Sequence, residues 1–102
     1  MAKKSYITKV LPHSIKFYLP RTAGYMDVVK EIVSKYGSMS LIEFDGYFEG
    51  KFEPVKYTRL EVHTAEAEEL HIIKYANKIR SRLRQHSLAL EINNKLILVI
   101  KK

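Results

Sequence analysis

The chain has 102 residues, 46% of them hydrophobic, no cysteine and a formal net charge of +7. That length supports one hydrophobic core and excludes two independent domains, while the missing cysteines exclude disulfides and thiolate metal sites and suit a reducing, intracellular setting. The longest unbroken apolar run is Leu96 to Ile100, far short of the roughly 20 residues a membrane-spanning helix needs, and the basic N-terminus lacks the apolar run of a signal peptide.

The first segment, Lys4 to Val10, alternates Tyr6, Thr8 and Val10 and reads as an edge strand. From Ser14, Ile15, Phe17 and Leu19 alternate with Ser14, Lys16 and Tyr18, the period of a strand with one face buried, and Pro20 ends it. Thr22 is placed to cap a helix whose apolar positions Tyr25, Val28, Val29, Ile32, Val33 and Tyr36 recur at steps of three and four, with Gly37 as its left-handed stop. Asp45-Gly46 then predicts a two-residue type I′ turn, which makes a hairpin of the strand before it and Tyr47 to Phe52 after it.

The same order follows a second time. Arg59 to His63 alternates as a strand, and Thr64-Ala65 echoes Thr22-Ala23 before a helix running to Arg84. That helix carries Glu66, Glu68 and Glu69 at its start and Arg80, Arg82 and Arg84 at its end, complementing the backbone dipole, with Ile72, Ala76, Ile79 and Leu83 as its apolar stripe. Leu88 to Ile92 and Lys95 to Ile100 flank Asn93-Asn94 as a second hairpin.

At an offset of 48, Glu43 meets Glu91, Phe44 meets Ile92, Asp45 meets Asn93 and Phe48 meets Leu96. The expected architecture is therefore a single α+β domain of two pseudo-repeated β-α-β-β units, residues 14–53 and 57–101, with two helices packed on a mainly antiparallel sheet. A unit of about 40 residues buries too little to stand alone, so the two must share a core, and the seam between them is the expected groove.

In the last hairpin one face carries Leu88, Leu90, Ile92, Ile97 and Val99, and the other Ala89, Leu96, Leu98 and Ile100. Two apolar faces leave one for a partner unless the helices cover both, and a face left bare would drive dimerisation or capture of a peptide. Phe44, Tyr47, Ile92, Ile97 and Val99 are accordingly the expected surface for a partner protein or peptide. Lys74, Lys78 and Arg82, at i, i+4 and i+8 of the second helix, are the alternative: a basic face for nucleic acid, with a solvated helix face as the plainer reading.

Chemistry of the catalytic kind finds no motif. His13, His63, His71 and His86 have no metal-ligand spacing with one another or with a carboxylate, and the four glycines form no phosphate-cradling loop. Asp45 followed by Glu49-Gly50-Lys51 has the acid-plus-lysine pattern of metal-dependent nucleases but no third acid. Phe17, Tyr18, Tyr47 and Phe48 do not make a base-stacking sheet, because alternation sends Phe17 and Tyr18 to opposite faces. The sequence therefore points to a non-enzymatic binding module with no cofactor and no metal.

Its length, duplicated element order, lack of cysteine and scarcity of amides, with one Gln and three Asn, resemble the small proteins of filamentous viruses of the hyperthermophilic archaeon Acidianus. The resemblance carries no catalytic residues and implies a viral protein with an interaction role in the host cytoplasm.

Overall fold

The computed structural model describes residues 5–46 and 55–102. Strand β1, His13–Pro20, carries the alternation read from its sequence: Ile15, Phe17 and Leu19 are buried, while Lys16 and Tyr18 point to the other face. Helix α1, Tyr25–Tyr36, follows, then β2, Ser40–Gly46, and β3, Val55–Thr64. Helix α2, Glu69–Arg82, leads to the hairpin of β4, Ser87–Ile92, and β5, Lys95–Ile100.

The sheet runs β2-β3-β1-β4-β5, antiparallel at every pair. Each strand-helix-strand unit is split: β1 and β2 have β3 between them, and β3 and β4 have β1 between them. This is the double split β-α-β arrangement of ferredoxin-like sheets, with β5 added at one edge. The fold is α+β, two helices on one five-stranded antiparallel sheet, as the repeated element order implies.

Both helices cover the same face. Val28, Val29 and Ile32 of α1 and Ile72, Ala76 and Ile79 of α2 join Ile15, Phe17, Leu19, Leu60, Val62, Leu88, Leu90 and Ile92 in one core. Phe17 sits at its centre, fully buried, with Tyr36 of α1 and Tyr75 of α2 at centroid distances of 6.3 and 6.1 Å. Tyr75 donates to Glu31 Oε1 at 3.1 Å, and Arg82 pairs with the same carboxylate, so α1 and α2 are also tied at their surface. Arg82 and Tyr75 hold the Glu31 carboxyl below its ordinary range, with Arg82 the larger influence.

The hairpin at Asn93-Asn94 has the expected type I′ geometry, φ 50° and 68°, and the expected register of Ile92 with Lys95, Glu91 with Leu96 and Leu90 with Ile97. Asp45-Gly46 differs. Both residues are extended and paired in β2, opposite Lys56 and Val55, so they are not the centre of a tight turn. A Cβ on Gly46 would stand 2.8 Å from the ring of Tyr57, which packs across the strand there; the glycine makes room for that ring. The strand expected at Tyr47 to Phe52 lies outside the described residues.

Other boundaries move as well. Helix α1 is capped by Gly24, φ 90°, not by the Thr22 side chain. Thr64 ends β3 and donates to the carbonyl of Glu66 at 2.7 Å, which delays α2 to Glu69; the second helix is 14 residues against 12 for the first. Residues 5–12 form no strand, and Ile7 and Val10 are exposed. They run off the end of β1, whose two ladders are already filled by β3 and β4.

The shared face of the helices decides which side of the last hairpin is core. Ile92 is 4% exposed and Ile97 and Val99 are packed against the core, while Leu96, Leu98 and Ile100 are 61, 56 and 56% exposed. Lysine at Ile97 should therefore destabilise the protein by about 2 kcal/mol or more, since it removes a packed side chain and places a charge against the core. Lysine at Leu98, one residue away on the other face, should change stability by no more than about 0.5 kcal/mol. Urea unfolding of the two variants measures the difference, and equal losses would contradict the face assignment.

Candidate functional site

With both helices on one side, the other side of the sheet is covered by no helix or strand among the described residues, and the register places its residues in rows. One row reads Ser40, Glu61, Lys16, Glu91, Leu96 across all five strands. The next reads Ile42, Arg59, Tyr18, Ala89, Leu98, and beyond it stand Phe44, Tyr57 and Pro20. Acidic and basic groups thus alternate across β3, β1 and β4.

These charges are paired and partly covered. Glu91 accepts from the Tyr18 hydroxyl at 2.9 Å on one oxygen and stands 3.3 Å from Lys16 Nζ on the other. Glu61 stands 3.2 Å from His63 Nε2 and 3.9 Å from Arg59 Nη2. Their side chains are only about a fifth exposed, 23% for Glu91 and 22% for Glu61, so neighbours shield them from water without removing access. The Arg59 Nε is buried with no protein acceptor, an unusual state for a guanidinium N–H.

An aromatic group stands along the same face. Phe44 stacks on Tyr57 at 5.5 Å with 15° between the rings, and meets Tyr18 edge-on at 6.1 Å. Burial, then the hydrogen bond to Glu91 and its charge, raise the Tyr18 hydroxyl above the ordinary phenol range; burial alone raises Tyr57. Both remain neutral donors at physiological pH.

At the end of the face where β3 finishes, a cleft of about 460 Å³ is lined by Lys9, Leu11, Ser38, Met39, Ser40, Glu61 and His63. It is of a size that takes a small molecule and holds a histidine backed by a carboxylate, the arrangement that orients an imidazole for proton transfer. Among the described residues no three His, Asp or Glu side chains come together as a metal site requires. No helix among them is long and apolar enough to cross a membrane.

The expected partner surface is not assembled. Phe44 lies half-buried on the open face, Ile92 is buried on the opposite one, Ile97 and Val99 pack against the helices, and Tyr47 lies outside the described residues. Strands β1 and β2 are joined to β3 and β4 through three ladders, β2-β3, β3-β1 and β1-β4, and the cleft is at the strand ends instead of along a seam between them. Lys74 and Lys78 are exposed, but Arg82 is engaged by Glu31 of α1, which breaks the expected basic stripe. Of the nuclease-like pattern, Asp45 pairs with Lys56 along β2, and Glu49-Gly50-Lys51 lies outside the described residues.

No protein-family profile and no curated protein matches the chain in sequence. Its fold, in contrast, is shared with a phage SAM lyase in the apo state, at a TM-score of 0.66 and 14% identity over 95% of this chain and 98% of that one. A phage SAM lyase in complex with S-methyl-5′-thioadenosine aligns at 0.61 and 13% identity, over 97% of both chains. The expectation of a non-enzymatic module, binding either a peptide or nucleic acid, is corrected by these neighbours, because an enzyme of the same extent is built on this fold.

The open face also predicts an alkaline signature. A neutral Tyr18 that donates to Glu91 contributes stability fully below the ordinary phenol pKa of about 10, and that contribution is lost as pH rises through the raised folded value. Tyrosinate absorbance during an alkaline titration should show a late-titrating component that Tyr18→Phe reduces. Loss of amplitude from the component near the ordinary phenol pKa instead would place Tyr18 away from Glu91.

Proposed function

We propose that this chain is an enzyme acting on a sulfonium nucleoside of the S-adenosylmethionine class and releasing S-methyl-5′-thioadenosine. The observation that carries the reading is the mutual coverage: the alignment spans 95% of this chain and 98% of the lyase, so the two frames are alike from end to end.

The open face supports the reading chemically. The substrate has an aromatic purine at one end and an amino acid with both charges at the other. Phe44 and Tyr57 provide a stacked aromatic wall, while the row of Glu61, Lys16 and Glu91 with neighbouring Arg59 provides both signs side by side. Tyr57 and Glu61 are four residues apart on β3, about 14 Å at the rise of a strand, a span that an extended adenosyl amino acid fills. The partly exposed Arg59 guanidinium is available to the substrate carboxylate, and Glu61 and Glu91 to its ammonium group.

Bond cleavage moves the C–S electron pair to sulfur, which loses its positive charge. A carboxylate against the sulfur would hold the reactant more tightly than the transition state, so the row of Ile42 and Tyr18 between the purine wall and the charges suits that atom better. The carbon fragment completes its valence by one of two routes. A neighbouring proton leaves to His63, backed by Glu61, with formation of a double bond; or the substrate's own carboxylate, held at Arg59, closes a ring on the carbon that sulfur leaves.

Incubation of the protein with S-adenosylmethionine should yield S-methyl-5′-thioadenosine by chromatography, and Glu61→Gln should lower the rate by about 100-fold. An unsaturated amino acid as second product assigns the proton route, and a lactone assigns ring closure. Absence of turnover together with absence of S-methyl-5′-thioadenosine binding by calorimetry would overturn the reading.

A further inference from the structure

Helix α2 ends in a backbone arrangement that normally calls for glycine. The Gln85 N–H bonds to the carbonyl of Arg80 at 3.1 Å and the Arg84 N–H to that of Ser81 at 3.1 Å, the paired bonds of a Schellman stop. The residue this stop needs in the left-handed region is Arg84, φ 54°. Helix α1 of the same chain meets the same need with Gly37, φ 84°. A side chain with Cβ is disfavoured there, so an arginine at this position is explained by its guanidinium and not by the backbone.

Capping does not require that guanidinium. The carbonyls of Ile79, Arg80, Ser81 and Leu83 are taken by the N–H groups of Leu83, Gln85 and Arg84 and by the Gln85 side-chain amide. The helix dipole accounts for about half an elementary charge at this end. Arg84 lines a cleft of about 400 Å³ together with Arg80, Ser81, Gln85, His86 and Lys101, which brings three permanent positive charges and a histidine together with no carboxylate in the lining. Neither Arg84 nor Lys101 has an ion-pair partner among the described residues.

The cleft is also partly rigid. Arg80 Nε donates to Asn77 Oδ1 at 2.9 Å and its Nη1 to the Gln85 carbonyl at 2.9 Å, which fixes the guanidinium plane and leaves its outer N–H groups unused. The Lys101 N–H bonds to the His86 carbonyl at 2.8 Å, tying the chain after β5 to the start of β4. Two guanidinium groups, an ammonium and an imidazole then face one space with no fixed anion to offset their repulsion. A dianion with several acceptor oxygens satisfies that set.

We propose that this cleft, at the end of the strands opposite the His63 cleft, binds a dianionic phosphate group, free or as the monoester of a small molecule. The variant Arg84→Gly tests it without unfolding the protein, because glycine relieves the left-handed backbone while it removes the cation. In ¹⁵N–¹H titrations with inorganic phosphate against chloride at equal ionic strength, shifts should centre on Arg80 to His86 and Lys101. Arg84→Gly should raise the thermal midpoint in chloride and weaken phosphate binding about tenfold or more, the loss of one charge-assisted contact. Lys74→Ala with Lys78→Ala, which removes two exposed charges elsewhere on α2, should leave the binding unchanged. Adenosine 5′-monophosphate that binds about tenfold more tightly than inorganic phosphate assigns the monoester, and equal affinity assigns the free anion. Phosphate shifts that match those of chloride, or Arg84→Gly that binds as well as the wild type, would overturn the proposal.

Discussion

The structure depends on β1 having two faces at the middle of the sheet. Phe17 must go inward, because it is the residue that both helices reach through Tyr36 and Tyr75. With that side chain inside, strict alternation sends Lys16 and Tyr18 outward, and the ladders to β3 and β4 carry the same choice to their neighbours. Removing the ring would leave a cavity under both helices at once.

The open face follows from that constraint. The helices occupy one side, and the split arrangement interleaves the strands, so Glu61 of β3 and Lys16 of β1 become neighbours, with Glu91 of β4 beyond. A polar, partly shielded surface results where a simple one-layer cover predicts only solvated residues, and it is this surface that gives an enzyme reading its chemistry.

Much of the fold is legible from local pattern. The strand at Ile15, Phe17 and Leu19, the stripes of both helices and the Asn93-Asn94 hairpin all follow from spacing and from residues that tolerate positive φ. Asp45-Gly46 misleads because its glycine answers to the Tyr57 ring on another strand, a non-local demand that looks in sequence like a turn. The two apolar faces of the last hairpin look alike for a related reason: only the register of Leu90 with Phe17 and Ile92 with Ile15 says which one meets the helices. The charged row is invisible in sequence because it exists only once the strand order is known. Arg84 was legible as a basic residue near a helix end, but not as a stop in the left-handed region.

Strand order has a further consequence for how the molecule opens. The amides of β1 are held between two ladders, so deuterium enters them only when β3 or β4 separates as well, whereas among the described residues β2 and β5 each have a ladder on one side alone. Exchange should therefore spread inward from both edge strands and reach the Phe17 amide last, making the strand that organises the fold also its slowest clock.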